Sequence, residues 1–239
     1  MNILIPMAGL GYRFPKEKFK KSKPLIEVNS VPMIIRAVKS LDLDGDYFFV
    51  IRKDEFSAEL KSVIMSIKKK TNVLEIDYQT SGPAKSALLF SDQINSDKEL
   101  IIANCDQIME WDSSNFLHNV RRYDGAVVTY HATTDKNSYA RLNGIGEVVE
   151  IREKEVISST SLNGIHYWKR GSDFIKSANE MISANDKAKN GEFYIGPSYN
   201  YMIKDGLKVG IFHIPKEMHH AVGDPEDLLK FLKYENNRA

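Results

Sequence analysis

The feature that most constrains this chain is an alternation. Short apolar runs give way to segments of helical periodicity, again and again, up to about residue 137. Ile3–Met7 reads as a buried strand opening into a glycine-rich loop, and Pro32–Leu41 as a helix with Ile34, Ile35, Val38 and Leu41 at helical spacing. Tyr47–Arg52 is the next strand. Ser57–Lys69 is a helix whose Leu60, Val63, Ile64 and Ile67 share a face. Val73–Tyr78 then reads as a strand, Pro83–Ile94 as a helix behind a Ser-Gly-Pro turn, Leu100–Asn104 as a strand, Ser114–Tyr123 as a helix and Ala126–His131 as a strand. Such an order implies right-handed βαβ units and a mostly parallel sheet covered on both faces.

After about residue 138 the pattern changes. Tyr139–Glu155 and Ser161–Trp168 are shorter β-rich pieces with glycines between them, followed by a helix over Asp173–Asn185 and a late strand, Lys208–His213. A last helix spans Pro225–Tyr234, its start marked by Asp224 as N-cap, Pro225 at the first helical position and Asp227 as the acidic N3 residue. The Lys68–Lys70 run reads as a solvated helix end. With no repeat, low-complexity tract or linker, the expectation is one α/β domain over 1–239: a Rossmann-like, mostly parallel sheet with helices on both faces and a small β-rich elaboration in the second half.

At 239 residues and 42% hydrophobic, the chain is long and apolar enough for a sizeable core. Its 33 basic and 32 acidic residues leave a net charge of +1, which excludes a general nucleic-acid or membrane-surface binder, since either needs a basic excess. The single Cys105 excludes an internal disulfide framework and suits a reducing compartment. No segment approaches the roughly 20 apolar residues of a membrane span, and the N-terminus lacks the pattern of a signal peptide. The expected localisation is therefore the cytoplasm, with no membrane and no nucleic-acid partner.

Chemistry concentrates first at the end of the opening strand, in Met7-Ala8-Gly9-Leu10-Gly11-Tyr12-Arg13-Phe14, followed by Lys23-Pro24-Leu25. Glycines at a strand's carboxyl end let backbone N–H groups approach phosphate oxygens, and an open parallel sheet places ligands at that edge. Arg13 and Lys23 would neutralise a triphosphate and a departing pyrophosphate. There is no third glycine for a dinucleotide fingerprint and no GK[ST] for a P-loop. Gly9-x-Gly11-x-Arg13 alone also fits a plain strand-to-loop turn; the Lys-Pro-Leu ten residues on favours a functional reading.

On these residues the chain resembles the sugar-nucleotidyltransferase family, which includes the nucleotide-sugar pyrophosphorylases, and further landmarks recur in order almost end to end. Gln79-Thr80-Ser81-Gly82-Pro83-Ala84 resembles the family's base-reading loop, in which Gln79 would meet a base edge and Gly82 let the base pack on the backbone. Helix-start turns also look like this. Ile101–Gln107 resembles the strand that ends in a metal-binding aspartate. The resemblance thus implies Asp106 as the ligand of Mg²⁺ against the α-phosphate, although a turn or capping aspartate fits the same pattern. It also implies nucleotide contacts from Met7, Ala8, Gly9, Gly11, Gln79, Gly82 and Asp106, and acceptor contacts from Glu153, Lys154, Asn163, Gly164 and Glu192, with Tyr199 and Asn200 nearby. The nucleotide half would be about 1–137 and the acceptor half about 138–239.

One departure stands out. The family usually ends in Asp-x-Gly-Thr-Pro-Glu-Asp, the first Asp being a second metal ligand; this chain reads Ala221-Val222-Gly223-Asp224-Pro225-Glu226-Asp227. Ala221 removes that carboxylate. One carboxylate with phosphates and water is chemically sufficient for Mg²⁺; His219 or His220 are other candidates for the vacated place.

The implied activity is condensation of an NTP with a phosphorylated small molecule, by family default a sugar 1-phosphate, to an NDP-sugar and pyrophosphate for surface polysaccharide or capsule precursors. A homo-oligomer is compatible with this reading. Open alternatives are a cytidylyltransferase acting on a non-sugar phosphate, a glycosyltransferase-like protein and a non-catalytic nucleotide-sugar binder. Neither the base nor the acceptor is identified by the residues.

Overall fold

The computed structural model describes residues 1–67 and 70–238. In chain order it comprises β1 (Asn2–Pro6), the short hairpin β2 (Glu27–Val28) and β3 (Val31–Pro32), α1 (Met33–Leu41), β4 (Asp46–Arg52), α2 (Ser57–Ile67) and β5 (Thr71–Ile76). Then come α3 (Pro83–Ala87), α4 (Ser91–Ile94), β6 (Leu100–Ala103), β7 (Gln107–Met109), α5 (Ser113–Val120) and β8 (Gly125–His131). The second half contributes β9 (Ser138–Leu142), β10 (Val148–Glu153), β11 (Thr160–Trp168), α6 (Gly171–Ser183), α7 (Tyr199–Lys204), β12 (Val209–His213), β13 (His219–Ala221) and α8 (Pro225–Asn236). Lys68 and Lys69, placed at a solvated helix end by their sequence, lie outside the described residues.

The central nine-stranded sheet runs β10-β9-β11-β6-β1-β4-β5, with β8 beside β11 and β12 beside β8. β6, β1, β4 and β5 are mutually parallel, as the alternating pattern predicts. The β-rich piece read from Ser161–Trp168 does more than decorate this sheet: β11 lies between β6 and β8, antiparallel to both. Its buried face residues, Ile165 and Tyr167 on one side and Trp168 on the other, are the central strand's share of two cores.

Period-2 alternation decides those cores. Leu4 of β1 faces the layer formed by α3, α4, α6 and α7, with Ala84, Ala87, Ile94, Phe174 and Met202. Ile3 and Ile5 face the α1, α2 and α5 layer, with Ile34, Val38, Leu60, Ile64 and Phe116. Each fully buried Leu, Ile, Val, Phe or Met among them is worth about 1.5–3 kcal/mol of burial. A third cluster joins Phe14, Ile26, Val28 and Met33 to Ile108, Val222, Leu228 and Phe231, and so packs the loop after β1 against α8. The Asp224 carboxylate accepts from Asp227 N–H at 2.9 Å, so it is the α8 cap expected from sequence. The exposed edge strand β10 is blocked at Ile151, where Asn200 bonds the backbone N–H (2.8 Å) and C=O (2.9 Å).

Candidate active site

The loop after β1 turns because of its glycines and is held by Phe14. Gly11 has φ +67°, and a Cβ there would stand 3.3 Å from the Lys23 Cβ. Phe14 N–H returns to the Gly11 carbonyl at 3.0 Å, and its ring is buried edge-on to Phe19 in the cluster that also holds Val222 and Phe231. Met7 and Ala8 put their side chains into the cores, leaving only backbone for a ligand. Gly9 is exposed and open. Lys23 starts a 3₁₀ turn through Leu25 whose Pro24 and Leu25 are buried, so the Lys-Pro-Leu sequence anchors the lysine stem.

Asp106 follows β6 at the same sheet edge and pairs with Lys23 Nζ in a short ion pair; Arg13 Nη2 stands 3.5 Å from the same carboxylate oxygen. The Lys23 and Asp106 side chains are each 14% exposed, whereas Arg13 is 65% exposed and turned to solvent. Burial alone would raise the Asp106 carboxyl, but the Lys23 ammonium, its hydrogen bond and the Arg13 guanidinium together hold it below the ordinary value. It is an ionised carboxylate at neutral pH. The neighbouring Cys105 thiol is buried and pushed up to about 11, so it is no nucleophile.

The C-terminal segment returns to this end of the sheet. β13 pairs with β7, Ala221 opposite Gln107, and Val222 N–H bonds the Asp106 carbonyl at 2.9 Å. A Cβ on Gly223 would collide with the Asp106 carboxylate. The division at residue 138 is therefore crossed: residues 222 and 223 help enclose Asp106. Asp224 turns its carboxylate to the helix cap. The His220 ring lies tilted against Tyr234 (centroids 4.5 Å apart) and meets Glu110 at 3.3 Å, and His219 lies 4.7 Å from the Tyr130 ring, its burial lowering it to about 4.

Two further groups hold the remaining residues expected from sequence. Gln79 is exposed, and beside it Gly82 (φ +119°) is clamped to Phe193: Phe193 N–H bonds the Ser81 carbonyl (2.8 Å), Ala84 N–H the Phe193 carbonyl (3.0 Å), and a Cβ on Gly82 would lie 2.6 Å from Phe193 N. The adjoining residues form the other group. Lys154, at φ +54°, donates to the Tyr194 hydroxyl at 2.8 Å, and that hydroxyl donates to Glu192 at 2.7 Å. Glu153 is bonded by Ser138, and burial raises its carboxyl. The 192–194 segment thus ties the Gln79 loop to Lys154.

Asn163 and Gly164 form a bulge in β11, where the register with β8 shifts between Leu162 and His166. Gly164 has φ +93° and packs on Asn104 and Gln107, beside Asp106. Asn163 is 2% exposed; its Oδ1 accepts from Ile165 N–H at 2.9 Å and its amide meets Met109 Sδ at 3.5 Å. Tyr199 is fully buried with its hydroxyl on the Ala126 and Tyr167 carbonyls. The structure therefore gathers Gly11, Arg13, Lys23 and Asp106, sets Gly164 at their flank, and links Gly82, Glu192 and Lys154 through one segment. Gly223 and Tyr194 were not singled out from sequence. Gly223 lies within the segment compared with the family ending, and Tyr194 two residues after Glu192.

No family model matches this chain. In three dimensions it superposes on a nucleoside-diphosphate-sugar pyrophosphorylase from Vibrio cholerae RC9 with a TM-score of 0.83, over 97% of this chain and 99% of that one, at 23% identity. The chain has the fold of the nucleotide-sugar pyrophosphorylases. A UDP-glucose pyrophosphorylase complexed with UDP-glucose matches over 100% of this chain and 99% of its own, at a TM-score of 0.79 and 17% identity. In sequence, the bifunctional protein GlmU of Thermodesulfovibrio yellowstonii is 22% identical over 228 residues, 91% of this chain. The chain spans 48% of that relative's length. No helix among the described residues is long and apolar enough to cross a membrane.

Proposed function

We propose that this chain is a nucleotidyltransferase that joins an NTP to a phosphorylated sugar, releasing pyrophosphate. The observation that carries the reading is the Arg13–Lys23–Asp106 cluster, two cations on one ionised carboxylate beside a glycine loop, at the carboxyl edge of a pyrophosphorylase-like sheet. The acceptor phosphate oxygen attacks the α-phosphorus in line, the bond to the β-phosphate oxygen breaks, and the electron pair leaves with pyrophosphate. Arg13 and Lys23 neutralise the charge gathering on that leaving group, a contribution that preorganised cations make without rearranging solvent. Lys154 holds the acceptor phosphate and Glu153 the sugar hydroxyls. Gln79 reads the base.

The donor set fits a Mg²⁺ carried by phosphate: Asp106 is ionised, and its carboxylate packs on Gly223, where any side chain would collide with it. Mg²⁺ commonly takes one or two carboxylates with phosphate and water. Bound there, it would polarise the α-phosphate. The product in this reading serves surface polysaccharide or capsule assembly. A panel of NTPs crossed with sugar 1-phosphates and other phosphorylated acceptors, read by pyrophosphate release, tests it. One productive pair confirms nucleotidyl transfer; release of a nucleoside diphosphate from a nucleotide sugar would instead make the chain a glycosyltransferase.

A further inference from the structure

The Asp106 cluster presents a charge problem to a metal. Asp106 contributes one negative charge, and Lys23 and Arg13 one positive charge each, a net +1 where a divalent cation would have to bind. Lys23 is in direct contact with the carboxylate, and both side chains are mostly shielded from solvent, where charges interact more strongly than in water. Ala221, beside them on β13, offers no second carboxylate. Among the described residues no group of three or more His, Cys, Asp or Glu side chains is placed to hold a metal. A free cation meets repulsion and a ligand already occupied by Lys23.

An NTP-bound cation meets different conditions. The polyphosphate is negative, so it is drawn to the same net +1, and its oxygens are acceptors for the Lys23 ammonium and the Arg13 guanidinium. Resting on the nucleotidyltransferase reading, we infer that Lys23 is an ionic plug: it occupies the metal position on Asp106 in the empty enzyme and yields it only to a cation arriving with the nucleotide. Lys23 then exchanges one ion pair for another, from carboxylate to phosphate, and no bare ammonium is left buried. Gly223, having no side chain, lets the Asp106 carboxylate lie directly against its backbone, so no neighbouring side chain there competes with an incoming cation. Metal cannot load first, and the site stays inert towards free divalent cations.

The test measures Mn²⁺ binding to the intact chain by water-proton relaxation in the absence of nucleotide, so it does not depend on turnover. The wild type should bind free Mn²⁺ weakly, and Asp106→Asn should leave that weak binding unchanged. Lys23→Met and Lys23→Gln, folded by circular dichroism, should bind Mn²⁺ at least about tenfold more tightly, since one adjacent positive charge is gone. Adding Asp106→Asn to either should abolish the gain. Tight Mn²⁺ binding by the wild type that Asp106→Asn destroys would overturn the plug, whether or not the Lys23 variants fold. So would folded Lys23 variants with wild-type affinity. Failure of every NTP–acceptor pair to release pyrophosphate would instead remove the enzymatic reading and leave these binding results standing.

Discussion

Asp106, Arg13 and Lys23 each supply charge at one point, so single substitutions there test chemistry more than folding. Asp106→Asn keeps the side chain's shape and removes its charge; turnover should be nearly abolished, while Asp224→Asn should be mild because asparagine caps a helix about as well as aspartate. Equal damage from both, in folded proteins, would make Asp224 a second ligand. Arg13→Ala and Lys23→Ala should each lower turnover by at least about tenfold, as expected for one lost charge-assisted contact of about 1.5–3 kcal/mol. Lys154→Ala should raise the acceptor KM and leave NTP affinity, measured calorimetrically without acceptor, close to wild type. Arg13, Lys23 and Asp106 were legible because each follows a strand or loop pattern, and Lys154 only through its place in the family resemblance. Gly223 and Tyr194 were not, since what they touch, Asp106 and Lys154, is brought to them only by long-range packing.

Elements divide in the same way. The parallel strands β1, β4, β5 and β6 and the Asp224-capped helix α8 follow directly from local pattern. The place of β11 does not: its apolar run says it is buried, but no local rule says that it enters antiparallel between β6 and β8. That insertion sets Gly164 against Asn104 and Gln107 at positive φ, a geometry that penalises any side chain. Gly164→Ala should therefore destabilise the fold by more than about 1 kcal/mol in denaturant titrations. Equal stability would mean that the bulge relaxes freely and does not brace the Asp106 loop.

On the scale of the whole molecule, buried neutral histidines tie stability to pH. Burial holds His166 down to about 3, beside the stacked Trp168 and Tyr199 rings. The unfolded chain takes up this proton near the ordinary histidine value of about 6.5. Between those values the unfolded state binds more protons, so this contribution is complete above about pH 6.5 and is lost as pH falls towards 3. Melting temperature should drop between pH 7 and pH 5, and His166→Phe should flatten that slope by up to about 1.4 kcal/mol per pH unit. An unchanged slope would assign the acid sensitivity to other groups. The most direct test of the central claim is pyrophosphate release from an NTP and a phosphorylated sugar, wild type against Asp106→Asn. The account predicts release by the wild type and almost none by the folded variant; a variant as active as the wild type would contradict it.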